Sequence, residues 1–363
     1  ALIMLFKSYF PIYFLVLLVF INLSCKPHSE PQENQTNASS DTPIAITNDA
    51  TPKNRPFIIR VKTIIPNADV HIVVSQPKDE KNNFMNTYDL NCGNGEPTHM
   101  NQSADILCQF SSPGEYDISL SGKLFGIQLV ENEIGNQGWP YHFIDIKQWG
   151  DIEWHTMDSF ANGCSELNIS ASDVPNLSHT GSMDNMFSYS NMNSPINHWN
   201  VSSIKTMHGV FQSNYAFNQP LDKWDVSNVT DMSSMFESAT NFNQPINHWN
   251  VTRVRNMKKM FYNASKFNQP LDRWNVKNVG NMKCMFNWAE SFQQDISSWD
   301  FSSIAACLSN TSIDDDEKEC IEYIFSFSEE RKSPLKLYQF LQDRFPNGYI
   351  FSDQDDGDES LCL

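Results

Sequence analysis

The sequence predicts an α/β solenoid of about five to six 25-residue coils, with a small all-β domain before it and a helical cap after it. Three observations lead to this prediction. Tryptophan, methionine and phenylalanine recur with a 25-residue period; alternating apolar and polar residues precede the repeats; and apolar residues at helical spacing follow them. A fixed period of this size is typical of repeat architectures, in which stacked units bury a core that no single unit could bury.

The first 25 residues have the organisation of a secretion signal. One lysine precedes an apolar run over residues 9–21, which is shorter than the ~20 residues of a spanning helix. Leu23-Ser24-Cys25 then resembles a bacterial lipobox, although Asn22 stands where that motif prefers leucine. The resemblance implies a lipoprotein signal peptide over residues 1–25 with lipidation at Cys25. An uncleaved anchor with an incidental cysteine is the alternative.

Residues 26–55 are rich in Pro, Ser, Thr, Asn, Gln and Glu and offer almost nothing to bury, which predicts a disordered stalk. The whole chain carries 43 acidic against 25 basic residues, a formal net charge of −18. Such a charge repels phosphate backbones, so we expect no nucleic-acid partner.

Residues 56–135 are predicted to be all-β. The runs over residues 57–61 and 70–74 have the alternation of strands. The segment Ser-Pro-Gly-Glu-Tyr-Asp-Ile-Ser-Leu-Ser-Gly at 112–122 resembles the strand signature of PKD-like immunoglobulin sandwiches, with residues 91–95 in place of their usual turn. The resemblance implies a small sandwich that acts as a rigid spacer, and Cys92 and Cys108 within it are a candidate disulfide pair.

The repeats predict which large side chains form the core. Residues that keep one position in successive units should stack in the interior of the array. The predicted structural core contains Trp199, Trp224, Trp249, Trp274, Trp299, Met232, Met257, Met282, Phe236, Phe261 and Phe286.

Each unit is predicted to contain one short helix and one short strand. Met232, Met235, Phe236 and Ala239 have the i, i+3, i+4, i+7 spacing of a helix face, and Pro245 ends the helix. Residues 246–254, with their β-branched enrichment, are then predicted as a strand and its turn. Asparagines at one repeat position form either a buried ladder that bonds the turns of adjacent coils or a set of exposed turn residues: Asn218, Asn243 and Asn268.

The consensus W-[ND]-V-S-x-V-x-x-M-x-x-M-F-x-x-A-x-x-F-N-Q-P-L, over residues 182–304, resembles the BspA-like repeat of bacterial surface lipoproteins. Residues 146–164 resemble the degenerate first coils that precede such repeats, so the array is assigned to 140–304. The resemblance implies a leucine-rich-repeat-like solenoid and a role in adhesion or host contact. The apolar pattern within residues 305–363 predicts a helical C-terminal cap, followed by an acidic tail.

The remaining cysteines give little support for a metal site. No C-x-x-C pair or matching His spacing occurs, so neither a metal nor another cofactor is expected. Cys307 and Cys320 are a second candidate disulfide pair because they are close in sequence. Cys284 stands where neighbouring repeats have Ser234 and Lys259, and is expected to be an exposed or half-exposed substitution.

Catalytic motifs are equally lacking. The sequence contains no Gly-rich phosphate loop, G-x-S-x-G or H-E-x-x-H, so we do not expect an enzyme. A locally basic strip in the later repeats is either ordinary solubilising charge or a contact surface for an acidic protein or glycan. The strip contains Arg253, Arg255, Lys258, Lys259, Arg273 and Lys277.

These observations predict a lipid-anchored protein of a bacterial cell surface or outer membrane. Its repeats would mediate adhesion or interaction with a host or bacterial surface protein or glycan. The alternative is a structural surface-layer component that self-associates, and an enzyme is a distant third possibility. Self-association of the purified protein would favour the surface-layer component over the adhesin.

Overall fold

The computed structural model describes residues 54–77, 85–131 and 140–303. The predicted signal, the predicted C-terminal cap and all of the predicted stalk except residues 54–55 lie outside them. Nine strands are present in the described residues: β1 Phe57–Thr63, β2 Ala68–Val74, β3 Thr87–Asn91, β4 His99–Gln102, β5 Ile106–Phe110, β6 Gly114–Lys123, β7 Ile127–Leu129, β8 Tyr141–Gln148 and β9 Asn168–Ile169.

The strands form two sheets. One has six strands in the order β4-β3-β6-β1-β8-β9, and the other has three in the order β5-β2-β7. Alternation in the sequence explains the strands, since β2 buries every second residue and exposes those between them. The segments predicted as strands at 57–61 and 70–74 lie within β1 and β2.

The six-stranded sheet continues into the range assigned to the repeats. β8 pairs antiparallel with β1, and β9 pairs parallel with β8. An aromatic cluster lies beside this junction, where Phe57 of β1 packs edge-on against Trp154 at 5.4 Å and Trp149 packs edge-on against Trp199 at 5.3 Å. The sheet and the first repeats therefore share buried side chains.

The predicted leucine-rich-repeat-like α/β solenoid is wrong. The described chain is built mostly from strands and turns, and its only helical backbone is at residues 302–303. The predicted helical cap over 305–363 falls outside the described residues and has no support from them. Within the repeats, successive units meet at isolated parallel bridges such as Asp231 with Asn256, and residues 246–254 form turns in place of the predicted strand.

The backbone explains why the predicted helix is absent. Ser234 and Ser238 have φ angles of 54° and 56°, in the left-handed region that a right-handed helix excludes. Alternate N–H groups of this segment donate to carbonyls of the following repeat: Met232 to Asn256, Ser234 to Lys258, Phe236 to Met260 and Ser238 to Tyr262. The N–H groups of Met235, Glu237 and Ala239 donate three residues back. The segment is thus a chain of tight turns bonded to its neighbour.

The predicted core residues are nonetheless buried. Trp249 is 3 % exposed and Met232 and Phe236 are fully buried, as are their counterparts in neighbouring repeats to within a few per cent. Phenylalanine rings stack between repeats, with centroids 5.7 Å apart for Phe236 and Phe261. Each of four indole N–H groups donates to a carbonyl of the preceding repeat, as Trp249 does to Leu221 at 3.2 Å.

The asparagine ladder is present. The Asn218 side-chain oxygen accepts the backbone N–H of Asn243 at 2.9 Å, and the Asn243 oxygen accepts that of Asn268 at 2.9 Å. The same oxygens also accept glutamine side chains of the next repeat. All three asparagines are half-buried, which is less than the full burial that the ladder hypothesis assumed.

Candidate functional site

The basic strip divides into two parts in the structure. Arg253, Arg255, Arg273 and Lys277 are exposed, and together they are called the basic edge below. Lys258 and Lys259 are half-buried and lie on the bonded face of the repeats, between Met257 and Met260. The six cations of the strip therefore differ in exposure, and Lys258 and Lys259 are less accessible than the other four.

Turns present the basic edge. Arg253 lies within the turn that closes when the N–H of Val254 donates to Val251, and Lys277 occupies the corresponding turn of the next repeat. Arg273 lies in the turn that ends at Trp274, and Arg255 follows the turn of Arg253 directly. Because apolar residues at the turn ends are buried, the residues between them must face outward.

Side-chain hydrogen bonds hold these turns in register. The Arg253 guanidinium donates to the Asn228 side-chain oxygen of the preceding repeat at 2.6 Å, and the Asn278 amide donates to the Thr252 carbonyl at 2.7 Å. Turn tips of three consecutive repeats are thus stacked. Arg253 and Lys277 stand on adjacent tips of this stack.

The cations of the basic edge have no acidic partner among the residues that the structure describes. The carboxylate next to Arg273, that of Asp272, accepts a hydrogen bond from the Asn247 amide at 2.8 Å. Lys259, in contrast, lies 4.0 Å from Glu237 and over the ring of Tyr262 at 5.5 Å. Lys259 is engaged within the fold, whereas the cations of the basic edge are exposed and form no ion pair with a carboxylate of the described residues.

The cysteines divide into different roles. Cys92 and Cys108 form a disulfide that links the end of β3 to β5, as their proximity suggested. Cys284 is fully buried and disulfide-bonded, so the expectation of an exposed substitution is wrong. Its partner is not among the described cysteines, since Cys164 is free. The lipidation candidate Cys25 and the pair Cys307 and Cys320 lie outside the described residues.

A buried polar cluster that the sequence analysis missed lies where β8 begins. One carboxylate oxygen of Glu131 accepts the Phe143 N–H at 2.8 Å, and the other lies 3.1 Å from the His142 ring. Burial raises the pKa of Glu131 despite these contacts. Burial also raises the pKa of the Cys164 thiol, which donates to the Leu129 carbonyl at 3.6 Å. No spacing in the sequence indicates this cluster, because the fold assembles it from separate strands and turns.

A second missed cluster joins two histidines. The rings of His155 and His179 have centroids 5.4 Å apart, and His155 also stacks on Phe125 at 4.1 Å. Burial, followed by the neighbouring His179, lowers the pKa of His155. In the sequence, the two histidines are separated by close to one repeat length. Such a separation places two residues side by side in adjacent units, and it was the signal that could have indicated this cluster.

Two searches of the described residues bear on ligands and membranes. No group of three or more His, Cys, Asp or Glu side chains there is arranged to hold a metal ion. Nor does that part of the chain contain a helix of the length and hydrophobicity needed to cross a bilayer.

Comparison with known proteins gives one finding. A family described as "Mycoplasma protein of unknown function, DUF285" matches residues 155–266 and, in a second overlapping match, residues 220–313. No curated protein matches the chain, and no solved structure does. The repeats of this chain are therefore similar to those of a family whose function is itself undescribed.

Proposed function

We propose that this chain is a lipid-anchored surface protein that adheres to an acidic protein or glycan through the basic edge. The observation that carries the proposal is the exposure of Arg253, Arg255, Arg273 and Lys277 without an acidic partner among the described residues, in a chain of net charge −18. In such a chain most exposed surface repels an acidic partner. A local group of unpaired cations then determines where that partner binds.

Rigidity of the edge supports the proposal further. The turns that carry Arg253 and Lys277 are held by backbone bonds within each repeat and by side-chain bonds between repeats. A ligand therefore does not have to order the backbone when it binds, which lowers the entropic cost of association.

The anchor rests on the sequence alone. The apolar run that ends in Leu23-Ser24-Cys25, followed by the polar stalk, supports export and lipidation. The resemblance to BspA-like surface repeats supports the same location. Cys25→Ser should then move the protein out of the membrane fraction, and unchanged membrane partition with an intact N-terminus would contradict the anchor.

Charge reversal tests the edge. Arg255→Glu with Lys277→Glu changes two exposed side chains for which the structure gives no side-chain hydrogen bond. The matched control is Lys62→Glu with Lys123→Glu, two exposed cations of the sheet region that alter the net charge equally. An exposed ion pair is worth about 0.5 kcal/mol, so reversing two cations should weaken binding by about 1–2 kcal/mol, or roughly tenfold.

The measurement is retention of the full chain on immobilised heparin and on immobilised poly-glutamate as salt is raised. The edge variant should elute at lower salt than wild type from at least one of them, while the control variant elutes with wild type. Salt should also weaken wild-type binding, because exposed charges are screened beyond a Debye length of ~8 Å. Equal elution of the edge and control variants would show that the edge only solubilises the protein.

A further inference from the structure

We propose that His155 and His179 form a two-histidine binding site for a divalent transition-metal ion such as Zn²⁺ or Cu²⁺. Imidazole nitrogen is a preferred ligand of both ions. The site would be independent of the basic edge, since the two histidines belong to the first repeats and the edge to the later ones.

The backbone fixes both histidines before any ligand arrives. The N–H groups of His155 and Thr156 both donate to the Phe125 carbonyl, at 2.8 and 3.1 Å. The next unit is held to this one by the bridge between Glu153 and Asn176, and by the Thr180 hydroxyl, which donates to the Trp154 carbonyl at 2.6 Å. His179 directly precedes Thr180. Its backbone position relative to His155 is therefore set by the bond from Thr180 to Trp154 and by the bonds from His155 and Thr156 to Phe125.

Ring separation agrees with shared coordination. With Zn–N bonds of about 2.0–2.1 Å and ring centres about 1.2 Å beyond the nitrogen, two imidazoles at a tetrahedral angle have centroids about 5 Å apart. The observed separation between the His155 and His179 centroids is 5.4 Å. A separation of this size is compatible with coordination of one metal ion by both rings.

Hydrogen bonding leaves Nε2 of His179 free to bind a metal ion. The Ser178 hydroxyl donates to the Asn176 side-chain oxygen at 2.8 Å, and it lies 3.1 Å from Nδ1 of His179. Because that hydroxyl has already used its proton, it must accept one from Nδ1. The lone pair of His179 is then on Nε2, and the serine acts as the outer partner that commonly orients a metal-bound histidine.

The ring of His155 is available as well. None of its nitrogens has a hydrogen-bond partner in the described part of the chain, and Phe125 covers a face of the ring, which leaves the in-plane lone pair accessible. Two protein ligands leave the other coordination positions to water, as expected where no third His, Cys, Asp or Glu is in reach among the described residues. An open, two-ligand site of this kind would bind exchangeable metal rather than a structural ion.

Calorimetric titration of the full chain with ZnCl2 tests the site, using His155→Gln and His179→Gln. The matched control is His198→Asn with His248→Asn, two exposed histidines that are a full two repeats apart and so cannot share one ion. Each single variant should lose more than about tenfold in affinity, since loss of even an outer partner typically costs 10- to 100-fold. The control should bind as wild type does.

A second readout separates metal binding from folding. Electron paramagnetic resonance of the Cu²⁺-loaded wild type should show two coordinated imidazole nitrogens, and His179→Gln should show fewer, with an unchanged melting temperature because His179 is exposed. Absence of saturable Zn²⁺ binding by wild type would overturn the proposal. So would equal Zn²⁺ affinities of wild type and both single variants.

Discussion

Replacement of Trp249 measures how much the repeated tryptophans stabilise the fold. Trp249 is 3 % exposed, and its ring centroid lies 6.4 Å from that of Phe236. Its indole N–H donates to the Leu221 carbonyl at 3.2 Å. Trp249→Ala creates a cavity that costs about 3–5 kcal/mol and removes a hydrogen bond worth about 1 kcal/mol. We therefore expect a loss of about 4–6 kcal/mol.

A loss of that size approaches the 5–15 kcal/mol total stability of an ordinary domain, so a milder variant is needed. Trp249→Phe keeps a buried ring and should lose about 1–2 kcal/mol, mainly through the missing indole N–H. Tyr215→Ala is the control, because that side chain is 53 % exposed and should change stability by no more than about 0.5 kcal/mol.

The assay is urea unfolding followed by circular dichroism. Midpoints are compared, since an array of repeats can unfold in parts, and each midpoint shift is converted to a free-energy difference with the wild-type m value. If Trp249→Ala unfolds within about 1 kcal/mol of wild type, the ring does not stabilise the repeats and the burial argument fails. An equal loss in Trp249→Phe and Trp249→Ala would refute the separate value assigned to the hydrogen bond.

Two further changes probe single contacts by the same urea assay. Asn243→Ala removes the acceptor of a backbone N–H and a glutamine amide, and should cost about 1–3 kcal/mol; Asn243→Asp keeps an acceptor, and an equal loss in both would contradict the ladder. Asp117→Asn weakens the ion pair between Asp117 and Arg60. The Arg60 guanidinium donates two hydrogen bonds to the Asp117 carboxylate and so lowers its pKa. A lowered pKa stabilises the fold while the carboxylate is ionised, so the wild-type advantage, about 1 kcal/mol or less for so exposed a pair, should be lost as the pH falls below the ordinary Asp pKa of about 4; a constant difference would exclude this linkage.

The sequence predicted the period and the interior of the repeats but not their backbone. Residues such as Met232 and Phe236 are buried as their spacing required. The same spacing that favours a helix also arises when tight turns alternate with left-handed residues, and apolar periodicity alone does not distinguish the two. Residue types at the left-handed positions gave only a weak signal: Gly209 and Asn263 tolerate positive φ, but the equivalent positions of other units carry Ser234, Lys259 and Trp288.

Contacts between distant segments were the least predictable part of the candidate sites. Exposure of Arg255 and Lys277 follows from their places beside buried valines, so the edge could be predicted from the repeat pattern. The engagement of Lys259 with Glu237 depends on how adjacent repeats are aligned, which the sequence alone does not specify. Burial of Cys284 could not be predicted for the same reason, since its counterparts in other repeats are serine and lysine.

The directional bonding between repeats bears on how such a chain could change in length during evolution. Every interior unit donates its alternate N–H groups forward and receives the same set from behind, as Met207 does to Asp231 and Met232 does to Asn256. Duplication or loss of a whole unit by recombination would rejoin identical donors and acceptors. Small changes in unit length outside the bonded turns are accommodated as well, because Met157 and Met183 are 26 residues apart and Met183 and Met207 are 24 apart, yet both units donate in the same alternate pattern. Selection should therefore tolerate variation in unit number among relatives while conserving the length of the bonded turn segment.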